Sequence, residues 1–397
     1  MDRLCRLRSR GAGAVLAFVG LLVLSAHSAL AGPTERMQAK RIHDRLVGVP
    51  PSEAVLSSME ASIVGGDPIA AAYTAMNDPI FYNSALKNFA QPWTNVSRTV
   101  FDDLNDYSAT VIGMIRDDVP FNTVLSADLV YVAPNGVVPA GYSQTDNNHY
   151  LQLQQNNIDL SNPANLQGVP QSTLPGSQIM STEAAGVITT RAGALAYFSG
   201  GTNRRMWRFT AINFLCRDME QLNDITRPAD YIRQDVTRSP GGDSRIFHNT
   251  CVGCHSGMDA LAGAFAYYQW DPDAMRMVFT RGVVQPKFLI NANNFPGGHI
   301  TTDDTWWNLW RVGPNSALGW RGPMATGHGA QSLGVEVGAS RAFSECQVQK
   351  VFTRVCEHAP QSAADFAAVQ SIADHFEAMN YSMKRVFAET AAYCMGN

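Results

Sequence analysis

The sequence predicts a mostly α-helical protein, made of helical bundle units joined by long irregular loops. Three observations predict it. Apolar residues recur at helical spacing over much of the chain, strand signals are confined to scraps such as Leu129 to Val132 and Val335 to Val337, and no repeat of fixed period is present. With 397 residues, 45% apolar and 16% charged, the chain is long enough for roughly two or three packed units.

Residues 1-31 read as an export signal. Arg3, Arg6, Arg8 and Arg10 precede an apolar stretch from Ala12 to about Ala26, and Ala29-Leu30-Ala31 is a small-x-small cleavage site, which makes the mature chain periplasmic or secreted from Gly32 onward. The stretch is shorter than the roughly 20 residues a membrane span needs, and no later segment is long and apolar enough, so no transmembrane segment is expected in the mature chain. Without the signal, 26 basic residues face 33 acidic ones, a net charge of −7, which leaves no basic footprint for nucleic acid.

The rest divides by composition into 32-138, an N-terminal helical domain; 139-178, a connecting loop rich in Gln, Asn, Ser and Pro; 179-338, a central domain; and 339-397, a C-terminal helical domain. Within the first, Ser52 and Glu53 start a helix after the Pro50-Pro51 turn, and Val96 to Ile115 places Val100, Leu104, Tyr107, Val111 and Met114 on one face. The central region carries helix candidates at Ser181 to Phe198, Arg205 to Leu222 and Met258 to Trp270. Val283 to Gly338 is irregular and aromatic, and helices return at Ser340 to Glu357, Ser362 to Met379 and Met383 to Cys394.

Six cysteines follow the signal. Two form Cys251-Val252-Gly253-Cys254-His255, the spacing at which haem c is attached: two thiols a turn apart make thioethers, and the next residue reaches the iron. A zinc site lacks a second ligand pair, and a redox dithiol lacks the strand that precedes such a pair. One covalent haem c is therefore expected, around which the helical units pack, with Cys251, Cys254 and His255 binding it and His255 as iron ligand. The other four cysteines are even in number, and Cys216, Cys356 and Cys394 sit near helix ends. Cys356 pairs with Cys394 if the C-terminal helices fold back on one another, and Cys216 then pairs with Cys346.

The segment Cys251-Val252-Gly253-Cys254-His255-Ser256-Gly257-Met258-Asp259, followed by Gly263-Ala264-Phe265-Ala266, resembles the Cys-x-x-Cys-His-x-x-Met-Asp-Pro-x-Gly-Phe-Ala run of the planctomycete-type cytochrome c-like family. Leu46 to Pro51, Val119 to Asp128, Arg191 to Leu195 and Phe343 to Phe352 resemble further segments of that family, in order. Ala260 stands where the family has Pro, and Val283 to Gly338 does not follow its pattern. The resemblance implies a haem protein of the cell envelope with no established substrate.

Other residues carry weaker readings. Arg205, among Arg204, Arg205 and Arg208, is the candidate partner for a haem propionate, against a plain solvated face. Met258, on the same side of the iron as His255, is core, and Asp259 caps a helix or bonds a backbone amide. Trp306, Trp307, Trp310 and Trp320 read as core before haem wall. His43, His149, His358 and His375 read as surface residues. The iron's second axial ligand is sought first in the Gly- and Pro-rich loop Arg321 to Gly329, with Met324 ahead of His328, then at His299, against the alternative that none of the three binds iron. The leading function is a mono-haem c-type cytochrome-like protein transferring single electrons with a redox partner protein in the cell envelope. The alternatives are a haem c peroxidase-type oxidoreductase with an open iron site and a non-catalytic envelope binding protein stabilised by haem.

Overall fold

A computed structural model describes residues 35–200 and 204–396. The expected export signal lies outside the described residues. About half of the chain is helical, and the strands pair only as three antiparallel two-stranded ribbons: Val130–Val132 with Gln167–Val169, Tyr268–Asp271 with Arg276–Phe279, and Thr305–Trp307 with Thr326–His328. Mostly α therefore holds. Among the described residues, no helix is long and apolar enough to cross a membrane.

Side-chain caps set the helix starts. Ser52 Oγ accepts from Val55 N, and Asp67 from Ala70 N ahead of Pro68, which gives the helices Glu53–Val64 and Pro68–Ala75 after the first helix, Glu35–Val47. The helix expected from Val96 begins ten residues later. Asn105 and Ser108 form a reciprocal capping box, and Asp106–Arg116 is buried on every face. Being surrounded, its charged ends need internal partners. Asp106 accepts from the amides of Arg191 and Ala192, and Arg116 donates to the carbonyls of Leu160 and Leu166.

Residues 139-178 are not a plain surface connection. They hold the helix Asn148–Gln155 and the strand Gln167–Val169, and bury Tyr150, Leu153, Leu160 and Leu166. Their amides work inward: Gln154 Oε1 accepts from Leu104 N, and Gln171 Nε2 donates to the carbonyls of Leu129 and Gly186. His149 is likewise buried. Its Nε2 accepts from Ala133 N and its Nδ1 donates to Ala140 O, so a surface reading fails there, as it does for His43, 1% exposed with Nδ1 on Val49 O.

Three further elements are shorter than their apolar periodicity suggests. Thr190 caps Arg191–Tyr197, so the helix expected from Ser181 starts only there. Arg204–Phe214 stops because Cys216 takes a left-handed conformation (φ 52°) and Arg217 N closes back on Ala211 O. The helix over the cysteine motif, Val252–Ala262, ends before the strand Tyr268–Asp271. Val335 to Val337 belong to the helix Gly329–Gly338, not to a strand.

The last three helices, Arg341–Cys356, Ala363–Ala378 and Met383–Tyr393, are capped by Ser340, Ser362 and Ser382. Met383–Tyr393 packs on both Arg341–Cys356 and Pro68–Ala75. Gln38, Arg41 and Arg45 of the first helix donate to the carbonyls of Gly396, Met395 and Cys394. One apolar core runs from Ala39 to Ala391. Cys356 pairs with Cys394 and Cys216 with Cys346, as the helix ends suggested. Replacing Cys356 and Cys394 by Ala is expected to cost about 2–4 kcal/mol, read as a lower midpoint of denaturant unfolding.

Candidate functional site

The motif sits on a continuous helical run. Asp243 accepts from Arg245 N and opens the turn Ser244–Ile246; a wider turn, Phe247–Cys251, leads into Val252–Ala262. Val252 packs with Ile232 and Phe247 in a small cluster separate from the main core, and Cys251 lies against it. Two glycines allow the helix its neighbours. A Cβ on Gly253 would lie 1.7 Å from Asn223 Oδ1, and one on Gly257 2.1 Å from Trp310 Nε1. Gly257→Ala is expected to cost about 1–3 kcal/mol in thermal or denaturant unfolding, because the buried Trp310 has to move.

Cys251 and Cys254 are free and half-buried, whereas the other four cysteines of the described chain are paired. The Cys254 thiol donates to Met219 O (3.3 Å). Burial, then the acidic Glu220 and the neighbouring Cys251, push it up, opposite to the lowered thiol of a redox dithiol.

His255 and Asp259 are four residues apart and share a helix face. His255 Nδ1 lies 3.2 Å from Asp259 Oδ1, and since the carboxylate only accepts, Nδ1 carries a proton, which in the neutral imidazole leaves Nε2 as the acceptor. Asp259 is fully enclosed and takes three more bonds: from Arg204 Nε (2.6 Å), Arg204 Nη2 (2.7 Å) and the backbone N of Arg233 (3.2 Å). Burial by itself raises this carboxyl, but the Arg204 charge and hydrogen bonds, with those of His255 and Arg233, hold it well below the usual carboxylate range. Arg204 continues to Asp235, 2.5 and 2.8 Å away.

Arg233 stands behind this chain of charges. Its side chain is enclosed, with the guanidinium 4.6 Å above the Phe288 ring, and none of its three nitrogens has a hydrogen-bond partner among the described residues. Burial pushes it down to about 10, with Asp259 opposing and Arg204 adding to the shift. His299 is joined to the same strand of chain, its N donating to Ile232 O and its O accepting from Gln234 N. Its ring lies near Tyr231 and Trp307, and burial, then Arg233, lower it.

Of the expected site residues, Cys251, Cys254 and His255 thus share one helical turn. Arg205 is turned elsewhere: exposed, it donates to Ser199 O (3.0 Å), while its neighbour Arg204 reaches Asp259. Asp259 bonds a backbone amide, as read, but its main partners are Arg204 and His255. Met324 is half-exposed and lines a 440 Å³ cavity with Trp306, Pro323 and Val335, a lining that includes none of the motif residues. His328 is exposed and pairs with Asp304 (3.4 Å). With Asp303 these make the one group of three His, Cys, Asp or Glu ligand atoms within 4.8 Å of one another among the described residues, and it includes neither cysteine of the motif. Met258, Trp306 and Trp310 are core; Trp307 and Trp320 are partly buried.

Lys287 precedes Phe288 and donates to Phe198 O (2.7 Å). Burial, then Arg205, push its ammonium down to about 7. Since the unfolded chain binds that proton up to about pH 10.4, wild type should gain stability relative to Lys287→Met as pH rises from 7 to 10, by up to about 1.4 kcal/mol per pH unit. Denaturant titrations of both proteins at pH 7 and pH 10 measure it; a constant difference contradicts it.

No protein-family model, no curated protein and no solved structure matches the chain.

Proposed function

We propose that the chain is an exported c-type cytochrome-like protein that holds one haem on Cys251 and Cys254, with His255 Nε2 toward the iron, and passes single electrons to a partner protein. The observation that carries this is the division among the cysteines: four are paired, while the two of the motif stay free beside a histidine whose other nitrogen is fixed on a buried carboxylate. A metal-ligating histidine commonly gives its second N–H to a carboxylate, which fixes the ring and raises its basicity. Two disulfides also suit an oxidising compartment.

The residues around the motif fit the group. Ile225, 64% exposed with Cγ2 near Gly253, and Ile246, 44% exposed one turn before the motif, offer apolar surface for a porphyrin face. Arg233 offers an enclosed cation with five unengaged N–H donors, suited to a propionate carboxylate. It takes the part expected of Arg205. Bound there, haem supplies a one-electron couple. The chain holds the imidazole by Asp259, balances Asp259 by Arg204, and fixes Arg204 by Asp235.

No hydrogen bond or ring contact joins Met324, His328 or His299 to His255 among the described residues, and His299 lies with the residues that hold His255 Nδ1 from behind, so the order expected from the sequence is kept, with Met324 first. Protein matured with haem-attachment machinery is expected to be low-spin. Met324→Ala should turn it high-spin and open to cyanide, and His299→Ala should leave its spectrum unchanged. A wild-type iron that is high-spin and binds peroxide readily would overturn the carrier in favour of the peroxidase-type reading.

A further inference from the structure

Residues 216–224 connect the helix Arg204–Phe214 to the motif, and their side chains reach a second place. Arg217 lines a 270 Å³ cavity with Trp93, Arg98, Cys216, Asp218 and Lys350. Trp93, Cys216 and Lys350 also border an adjoining 550 Å³ cleft that extends along Phe89.

Positive charge exceeds negative in the cavity: three cations, Arg98, Arg217 and Lys350, face one carboxylate, Asp218, which is bonded by Arg208 through two bonds of 2.7 Å and feels Arg98 only through space. The Arg98 side chain makes no hydrogen bond or ion pair among the described residues, and Arg217 donates only to the carbonyl of Cys216. Lys350 Nζ is fixed by Asn213 O (2.7 Å) and Gln347 Oε1 (3.0 Å), 3.2 Å from the centre of the Trp93 ring. Each partner of Lys350 is neutral. Burial, and then the charge of Arg98, push the Lys350 ammonium down, a cost that a bound anion would relieve.

We infer that this cavity is a binding site for a small organic carboxylate, with its anionic head among Arg98, Arg217 and Lys350 and its flat apolar body along Trp93 and Phe89. Guanidinium groups suit a carboxylate, and the adjoining cleft, with the edges of the otherwise buried Trp93 and Phe89 in its wall, gives room for an organic body that a bare inorganic anion would not use. The site adjoins the motif through one backbone connection: Met219, two residues after Arg217, accepts the Cys254 thiol. It does not depend on what the two thiols carry.

Calorimetric titration of the full-length mature protein with 2-naphthoate tests it, with neutral 2-naphthamide as the matched control. Saturable binding of the naphthoate is expected, about tenfold or more tighter than the amide. The double variant Arg98→Gln, Arg217→Gln is expected to bind about tenfold or more weakly while keeping the wild-type melting temperature, since Arg98 is exposed, Arg217 is only partly buried, and neither makes a hydrogen bond or ion pair to another side chain among the described residues. A Lys350→Met variant should lose binding as well, and its melting curve separates loss of the site from loss of the fold. Absence of saturable binding overturns the inference, as does equal affinity for the amide or unchanged affinity in a folded double variant.

Discussion

Asp259→Ala is expected to lose about 3–5 kcal/mol of stability, the largest effect of any single substitution near the motif. The carboxylate has four donors and no solvent. Without it, Arg204 keeps Asp235 alone, the Arg233 guanidinium loses the nearest negative charge, and His255 loses the acceptor that fixes its ring. Asp243, which caps the same helical run from the solvent side and pairs with exposed Arg245, should matter far less. Comparing the two alanine variants by denaturant unfolding separates the buried network from ordinary capping. The network also has a pH signature. Because the folded carboxyl is held below its unfolded value, its contribution is complete above about pH 4 and is lost only as the pH falls through the lower, folded value. Asp259→Ala should therefore be most destabilised, relative to wild type, above that pH.

The second large effect concerns attachment. Cys251→Ala with Cys254→Ala should abolish covalent haem altogether, because the other four cysteines of the described chain are locked in disulfides. Either single variant should retain one thioether. His255→Met should keep the covalent link while shifting the iron's spectrum and potential, since the thiols and not the imidazole make the bonds. Loss of covalent haem from the His255 variant alone would mean that the imidazole is needed for attachment itself.

The C-terminal helices were legible to within a residue or two because Ser340, Ser362 and Ser382 stand in front of periodic apolar runs, and their caps form as such serines do. The Cys356–Cys394 disulfide followed from the far ends of two of these helices, and Cys216–Cys346 as the pair that remained. Residues 139-178 were misread for a physical reason. Gln154 and Gln171 look like solvent-facing residues by composition, yet they satisfy the backbone of distant segments. The Asp259 network was invisible because its partners lie 55 and 26 residues away at Arg204 and Arg233. One signal was available: His255 and Asp259 are separated by one helical turn, a spacing that brings a carboxylate to an imidazole. Choosing Arg205 over Arg204 shows the limit of reading charges without a face, because successive helical residues point about 100° apart.

Mass analysis of the tryptic peptide spanning residues 246–276, from protein exported alongside haem-attachment machinery and digested without reduction, tests the central claim most directly. The account predicts a peptide heavier by one haem, with neither Cys251 nor Cys254 open to alkylation. A peptide of unmodified mass, with both thiols alkylated or joined to each other, contradicts it.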